Sequence, residues 1–352
     1  MKRRHNRKIT SKLGLLFIII ILSFTTISAS YAHWSDELDI NAEMTTIEYG
    51  SISGYVWLDD GDGVRESCEV IGIKDYTVTL VDTFLNKQID TTTDDNGFYD
   101  FTGLLPVTYT VQITVVSPYT ATTPTSYTIT LTVGEHSTNN FGLQDTTMMG
   151  WWKFDEGTGT TATDSSTNGN HGTITGASWT NDGKVCKALD FDGSDDYVDC
   201  GSDTSLDITD TITVAAWVKL NNGGSDIWYD TVRRQTGYEI SIQRGSSGII
   251  EIALNDGSWH WYDSVSTINL DGTWYHIAFT WEKSTGKVRI YINGNLDVER
   301  NGITNSLQST GKLWIGGAGT AWSTYGIIDE VKIYNRALTA DEIFHIYNAE
   351  DT

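Results

Sequence analysis

Apolar and polar residues alternate one for one along much of the chain. Tyr76, Val78 and Leu80 are separated by threonines, as are Tyr127, Ile129, Leu131 and Val133, and Tyr109, Val111, Ile113 and Val115 alternate with Thr and Gln. A period of two sends one side of each run into a core and the other to solvent, which predicts half-buried β-strands. The pattern returns near the C-terminus, where Val288, Ile290 and Ile292 interleave with Arg289 and Tyr291 before Asn293-Gly294, a two-residue hairpin turn. Asp95-Asn96-Gly97 is a turn signal between earlier runs, and all three prolines (Pro106, Pro118, Pro124) fall in loops of that first region. Only the tail changes period. Thr339 and Glu342 have capping-box spacing, followed by Ile343, Phe344, Ile346 and Tyr347 on a short helix. The expected fold class is all-β with one short C-terminal helix.

The first 32 residues are a different material. A basic stretch precedes an apolar core over 14–25, and the segment ends in small residues at Ser30 and Ala32. That is the plan of a secretory signal peptide, and the apolar run is short for a membrane span. An uncleaved anchor remains the alternative, and it is the only membrane contact expected. The junction SYA-HWSDELDI resembles the start of camelysin-like and biofilm-fibre precursors, which implies export.

Charge narrows the partners. Six of the 23 basic residues and none of the 46 acidic ones lie in the leader, which leaves 17 against 46, a formal charge of −29, beyond it. So acidic a surface repels nucleic-acid phosphate and anionic lipid and attracts divalent cations. Three cysteines, Cys68, Cys186 and Cys200, are an odd number, so one chain cannot pair them all. Cys186 and Cys200 flank the hairpin-like LDFDGSDDYVD and are one candidate pair; buried thiols are the other reading.

Residues 51–143 read as a compact sandwich after an N-terminal strand or linker over 33–50. Near its start, Asp59, Asp60, Asp62, Glu66 and Glu69 crowd five carboxylates into eleven residues, with Gly61 and Gly63 permitting a tight turn. Close oxygen spacing with a late glutamate suits calcium, and unneutralised the cluster would repel itself. The run GYVWLDDGDGVRESCE, with TTTDDNGFYDFTGLLPVTYTV downstream, resembles the B-type repeat of serine-aspartate-rich surface adhesins. The resemblance implies a prealbumin-like β-sandwich with a calcium-binding aspartate loop. Here the loop departs from the family pattern, because Asp59 and Asp60 are adjacent and it is one residue short.

After a linker at 144–148, residues 149–349 carry six separated runs: 150–173, 187–201, 212–220, 274–281, 287–296 and 326–343. In order and spacing they resemble the laminin G-like domain, which implies a concanavalin A-type jelly-roll closed by a small helix. In IIDEVKIY, Asp329 is expected on the buried face of Val331 and Ile333, where a carboxylate needs a partner. The family sets its first and last strands side by side. That would bring Asp329 near Asp155 and Glu156 and near the loop with Asp164, Asn168 and Asn170, a second expected calcium site. The competing reading gives Asp164 and Asn168 turn hydrogen bonds and Asp329 a backbone amide to cap.

Aromatics divide by setting. Trp217, Trp274, Trp281 and Trp314 lie in apolar strands and are expected in the core, whereas Trp228, Tyr229, Trp259, Trp261, Tyr262 and Trp322 are flanked by Gly, Ser, Asp and Asn. The second set is the candidate ligand platform, since exposed indoles stack on the apolar faces of sugars. Catalysis is not expected. No strand carries the alternating acidic triplet of glucanases, G-x-S-x-G is absent, Glu239 and Glu251 stand alone on their strands, and Asp329-Glu330 is merely an adjacent pair. The chain is therefore read as a secreted or cell-surface binding or adhesion protein, stabilised by calcium and recognising a glycan or a protein partner. A structural subunit of a matrix, fibre or envelope layer is the alternative, and a glycoside hydrolase the third reading.

Overall fold

The computed structural model describes residues 48–223, 228–243, 248–318 and 322–351. The expected leader and most of the N-terminal linker lie outside them. Among the described residues no helix is long and apolar enough to cross a membrane.

Alternating residues build a first sandwich. In one sheet Gly50–Leu58 runs antiparallel to Phe98–Leu104 and parallel to Phe141–Asp145. The facing sheet orders Lys87–Thr92, Thr77–Asp82, Thr108–Ile113 and Ser126–Thr130. Val78, Leu80, Tyr109, Val111 and Ile113 point inward against Ile52, Val56, Phe141 and Leu143. Period two therefore does what it predicts, with burial of these side chains as the driving term.

The expected 144–148 linker is mostly strand. Phe141–Asp145 ends the first sandwich and Met148–Trp152 begins the second, so only Thr146 and Thr147 lie between. Thr147 donates from both its amide and its hydroxyl to Asp145 Oδ1, which fixes this short joint.

Among the described residues the second sandwich has two eight-stranded sheets. One is centred on Thr211–Asn221, Asp271–Glu282 and Tyr325–Tyr334, with Met148–Trp152 antiparallel to the last, so first and last strands do lie side by side. The other carries Leu313–Ile315, Trp228–Arg234, Tyr238–Gln243, Ile249–Asn255 and Trp259–Thr267 in spatial order. Trp281 and Trp217 are fully buried as expected, but Trp274 and Trp314 are only half-buried. Trp274 lies edge-on to Trp217, with ring centroids 6.5 Å apart.

A capping box starts the helix Ala340–Glu350, with Thr339 Oγ1 accepting from the Glu342 amide. Its Ile343 and Ile346 pack with Leu58 and Ile71 of the first sandwich and with Met148, Trp151 and Tyr334 of the second, so one apolar cluster spans both. Polar contacts reinforce the joint: Arg336 pairs with Asp145 at 3.1 Å, and His345 Nε2 lies 2.7 Å from the Gly72 carbonyl oxygen. The cysteine pairing runs across it as well. Cys68 is bonded to Cys186, 118 residues away, while Cys200 is free and buried in the inter-sheet core. The candidate pair Cys186–Cys200 is thus corrected: Val198 and Cys200 both face inward, whereas Cys186 sits on an exposed left-handed turn at φ 54°.

Asp329 is a second correction. The register slips between Ala215 and Trp217, so two residues oppose one, and Glu330 takes a positive φ of 52°. This bulge breaks the alternation. Ile328, Val331 and Ile333 enter the core, and Asp329 instead stands opposite Trp217 on the other face of the sheet.

Candidate functional site

Cross-strand register builds a pocket on the outer face of the second sheet. Arg233 stands opposite Glu239, Glu239 opposite Ala253, and Ala253 opposite Trp261. In the adjoining row Asp230 opposes Ser241, Ser241 opposes Glu251, and Glu251 opposes Asp263. Because Ala253 and Ser241 are small, each row dips between its longer side chains. The result is a cavity of about 230 Å³ lined by Trp228, Asp230, Arg233, Glu239, Glu251, Trp259, Trp261 and Trp322. Trp261 is 60% exposed and Trp322 40% exposed. Trp322 comes from a loop, where its carbonyl accepts the Asp230 amide at 3.0 Å.

Four of the six expected platform aromatics therefore meet in one place, and two do not. Tyr229 faces the core, fully buried, its hydroxyl donating to the Asn221 carbonyl at 3.0 Å. Tyr262 is half-buried against the same core, on the opposite side of its strand from Trp261. Alternation along Trp228–Arg234 and Trp259–Thr267 accounts for both, since neighbours in a strand point to opposite faces.

The polar lining was not assembled by reading the sequence. Arg233 reaches Glu239 at 2.9 Å and Asp230 at 3.3 Å, and its guanidinium lies 4.3 Å from the Trp322 ring centre. Burial and the neighbouring Glu239 push the Asp230 carboxyl well above the ordinary carboxylate range. Burial, Asp263 and Glu239 lift Glu251 to about 7. The available signal was local: Glu239 and Glu251 each interrupt an apolar strand at an outward position, in YEI and IEI. Pairing register alone shows that they share a wall.

The acidic loop of the first sandwich converges as well. Oxygens of Asp59, Asp60 and Glu69 lie within 4.8 Å of one another, and so do those of Asp60, Asp62 and Glu66. Backbone amides hold part of the set: Gly61 and Gly63 donate to Asp59 Oδ2, and Asp60 and Glu66 donate to Glu69, which also accepts from Trp57 Nε1 at 3.0 Å. Gly61 and Gly63 adopt positive φ of 109° and 76°, which the tight turn needs. Burial lifts Glu69 to about 7. Asp59 Oδ1 is buried with no hydrogen-bond partner. Lys153 of the second sandwich brings one positive charge, with Nζ 2.5 Å from Asp60 Oδ2. Five carboxylates against one ammonium, with a buried oxygen unsatisfied, fit a divalent cation.

The second expected calcium set does not assemble. Among the described residues no three of Asp155, Glu156, Asp164 and Asp329 bring oxygens together. Asp164 instead accepts from the amides of Trp151, Ser166 and Asn170, and Asn168 and Asn170 donate to the Met148 and Met149 carbonyls. Asp329 caps the Lys184 and Val185 amides at 2.8 and 2.9 Å, Asp155 accepts from Lys187 and Glu156 from Thr163. Backbone amides have taken both oxygens of Asp164 and of Asp329 and one oxygen each of Asp155 and Glu156, while Asp155 Oδ2 and Glu156 Oε2 stay buried without a hydrogen-bond partner. A separate group, the exposed Asp192 and Asp195 with the buried Asp196, converges in the hairpin-like segment LDFDGSDDYVD.

Comparisons with known proteins follow the same division. Residues 50–148 match the SdrD B-like domain, and residues 192–344 match the concanavalin A-like lectin/glucanases superfamily. Over 97 residues the chain is 36% identical to the serine-aspartate repeat-containing protein C of Staphylococcus aureus (strain Newman), covering 27% of this chain and 10% of that protein. The chain thus spans about a tenth of the length of the curated relatives it matches. Among solved structures, the binding domain of Paraclostridial Mosquitocidal Protein 1 is 17% identical with a TM-score of 0.49, covering 58% of this chain and 52% of that one. Domain 4 of AbnA, a GH43 extracellular arabinanase from Geobacillus stearothermophilus in complex with arabinotriose, is 25% identical with a TM-score of 0.44, covering 57% and 98%. The chain joins a sandwich of the SdrD B-like type to one of the concanavalin A-like type.

Proposed function

We propose that this chain is a binding module of an exported or cell-surface protein, in which a calcium-stiffened first sandwich carries a second sandwich that holds a glycan. One observation carries the reading: four tryptophans meet three carboxylates and an arginine in a single open pocket. Indole faces stack on the apolar faces of pyranose rings, and the carboxylates and guanidinium bond hydroxyls. Asp59, Asp60, Asp62, Glu66 and Glu69 would hold calcium in the first sandwich and make it more rigid, because an ion bound only by the folded state stabilises it. The structural-subunit alternative needs a long open strand edge. The outer strands Lys87–Thr92 and Asn295–Asn301 bear Lys87, Asp90, Asp297, Glu299 and Arg300, charges that discourage edge pairing, whereas Trp259–Thr267, the outer strand of the pocket sheet, runs nine residues with Asp263 as its one acidic residue.

The test is calorimetric titration of calcium into the chelator-treated chain, followed by a glycan array with and without the ion. Saturable calcium binding with array signals abolished by Trp261→Ala supports the reading. A blank array in both conditions overturns the glycan half, and no calcium binding overturns the other half.

One observation favours a second reading, hydrolysis, because Asp230 and Glu239 form a carboxylate pair inside the groove. Arg233 bridges both, which suits a fixed binding surface better than a proton-transferring pair. Prolonged incubation with an array-positive oligosaccharide separates the two: shortened products would mean hydrolysis, intact oligosaccharide binding alone.

A further inference from the structure

The charge inventory of the pocket goes further than its shape. Asp230, Glu239 and Glu251 face one cation, Arg233, and that cation is already committed to Asp230 and Glu239. Among the described residues Glu251 makes no ion pair, and its neighbour across the ladder is another acid, Asp263. Asp230 is 1% exposed, yet its Oδ1 has no hydrogen-bond partner. The walls agree in sign with the carboxylates, because the face of an indole ring attracts cations. Arg233 already shows the preference, its guanidinium 4.3 Å from the centre of Trp322 and 6.0 Å from that of Trp259.

Building on the glycan-binding reading, we propose that the pocket takes a sugar bearing a free, positively charged amino group, a glycan of the unacetylated hexosamine class, with Glu251 pairing with the ammonium. Trp261 lies diagonally across the ladder from Glu251, close enough for one ring to stack while its amino group meets the carboxylate. A neutral sugar would leave Glu251 without a counter-charge, and an acetamido carbonyl turned toward it would be repelled. Burial, then Asp263 and Glu239, raise the Glu251 pKa, and a bound ammonium would lower it. A protein partner fits less well. A stable protein interface covers roughly 800 Å² on each side, and among the described residues the large exposed aromatics lining the pocket are only Trp261 and Trp322.

The experiment is calorimetric titration of the full calcium-loaded chain at pH 6 with a β-1,4-linked glucosamine tetramer and, separately, with its fully N-acetylated counterpart. The expected result is binding of the amine form, weakened about tenfold by Glu251→Gln, the effect of losing one desolvated charge pair. Glu251→Asp should restore part of the affinity, and a urea midpoint for Glu251→Gln no lower than that of wild type at pH 6 confirms that the fold is intact. Equal or tighter binding of the acetylated tetramer, or indifference of the amine tetramer to Glu251→Gln, overturns the amino-sugar assignment and leaves glycan binding standing. Binding of a lysine-rich peptide with no response to either tetramer assigns the pocket to a protein instead. A chain that binds neither tetramer and gives a blank array refutes both readings.

Discussion

Lys153 Nζ lies 2.5 Å from Asp60 Oδ2, so the second sandwich places an ammonium inside the acidic loop of the first. This contact makes the loop a joint between the two sandwiches as well as a turn. The Cys68–Cys186 bond ties the same loop to the other side.

An ammonium and a calcium ion compete for the same oxygens. Lys153→Met should therefore tighten calcium binding, by about tenfold for a contact worth roughly 1.4 kcal/mol, as read by titration against a calcium chelator. Unchanged affinity would place the ion away from Asp60.

The disulfide closes a loop of more than a hundred residues. Cys68→Ser should lower stability by about 2–5 kcal/mol in urea unfolding. Cys200 is buried, and burial raises its thiol pKa. The oxidised native chain should thus show almost no reactive thiol and one equivalent in denaturant. Three equivalents in denaturant, or a thiol that reacts in the native chain, would contradict the pairing.

Under the C-terminal helix, Lys332 is fully buried between Glu330 and Glu350, with Nζ 2.5 Å from Glu350 Oε1. The carboxylates also accept from indoles, Glu330 from Trp151 and Glu350 from Trp217, each at 2.8 Å. Lys332→Ala would strand two buried negative charges, at a cost of about 3–5 kcal/mol. Chemical denaturation measures it, and a loss below about 1 kcal/mol would mean water reaches the network.

Glu251 has a testable sign. Its folded pKa, about 7, lies above the ordinary 4.5. The protonated form thus favours folding, and that contribution is complete below about pH 4.5 and lost as pH rises through 7. Glu251→Gln removes the dependence. Its urea midpoint should match wild type near pH 4.5 and exceed it at pH 8, and a constant difference across that range would be inconsistent with the shift.

Trp261 and Trp322 project most from the pocket. Either alanine variant should lose about tenfold in affinity for an array-positive glycan, the order expected for one stacking aromatic, with little change in melting temperature. Trp228→Ala and Trp259→Ala, more buried, should lose both affinity and stability.

Alternation, turn dipeptides and a capping box were sufficient to read the all-β class, many of the strands and the C-terminal helix from the chain itself. These features act through neighbours one to four residues away, so their physics is written locally. The acidic loop was legible for the same reason, since its five carboxylates lie within eleven consecutive residues. Four of the six candidate platform aromatics line one pocket. Tyr229 and Tyr262 face the core instead, because strand parity and not flanking polarity sets the direction of a side chain.

Long-range geometry lay beyond the chain's own pattern. The bulge at Glu330 put Asp329 on the other face of the sheet from Val331, where it caps the Lys184 and Val185 amides. Asp230, Glu239 and Glu251 stand on three strands and meet only through pairing register. Cys68 finds Cys186, and Lys153 finds Asp60, because two sandwiches dock about a two-residue joint. What the sequence by itself determined is which segments become strands and which of their faces is apolar, since both follow from local periodicity. Which distant side chains share a pocket, a bond or a buried charge was decided only by tertiary packing, where a one-residue shift in register changes every neighbour.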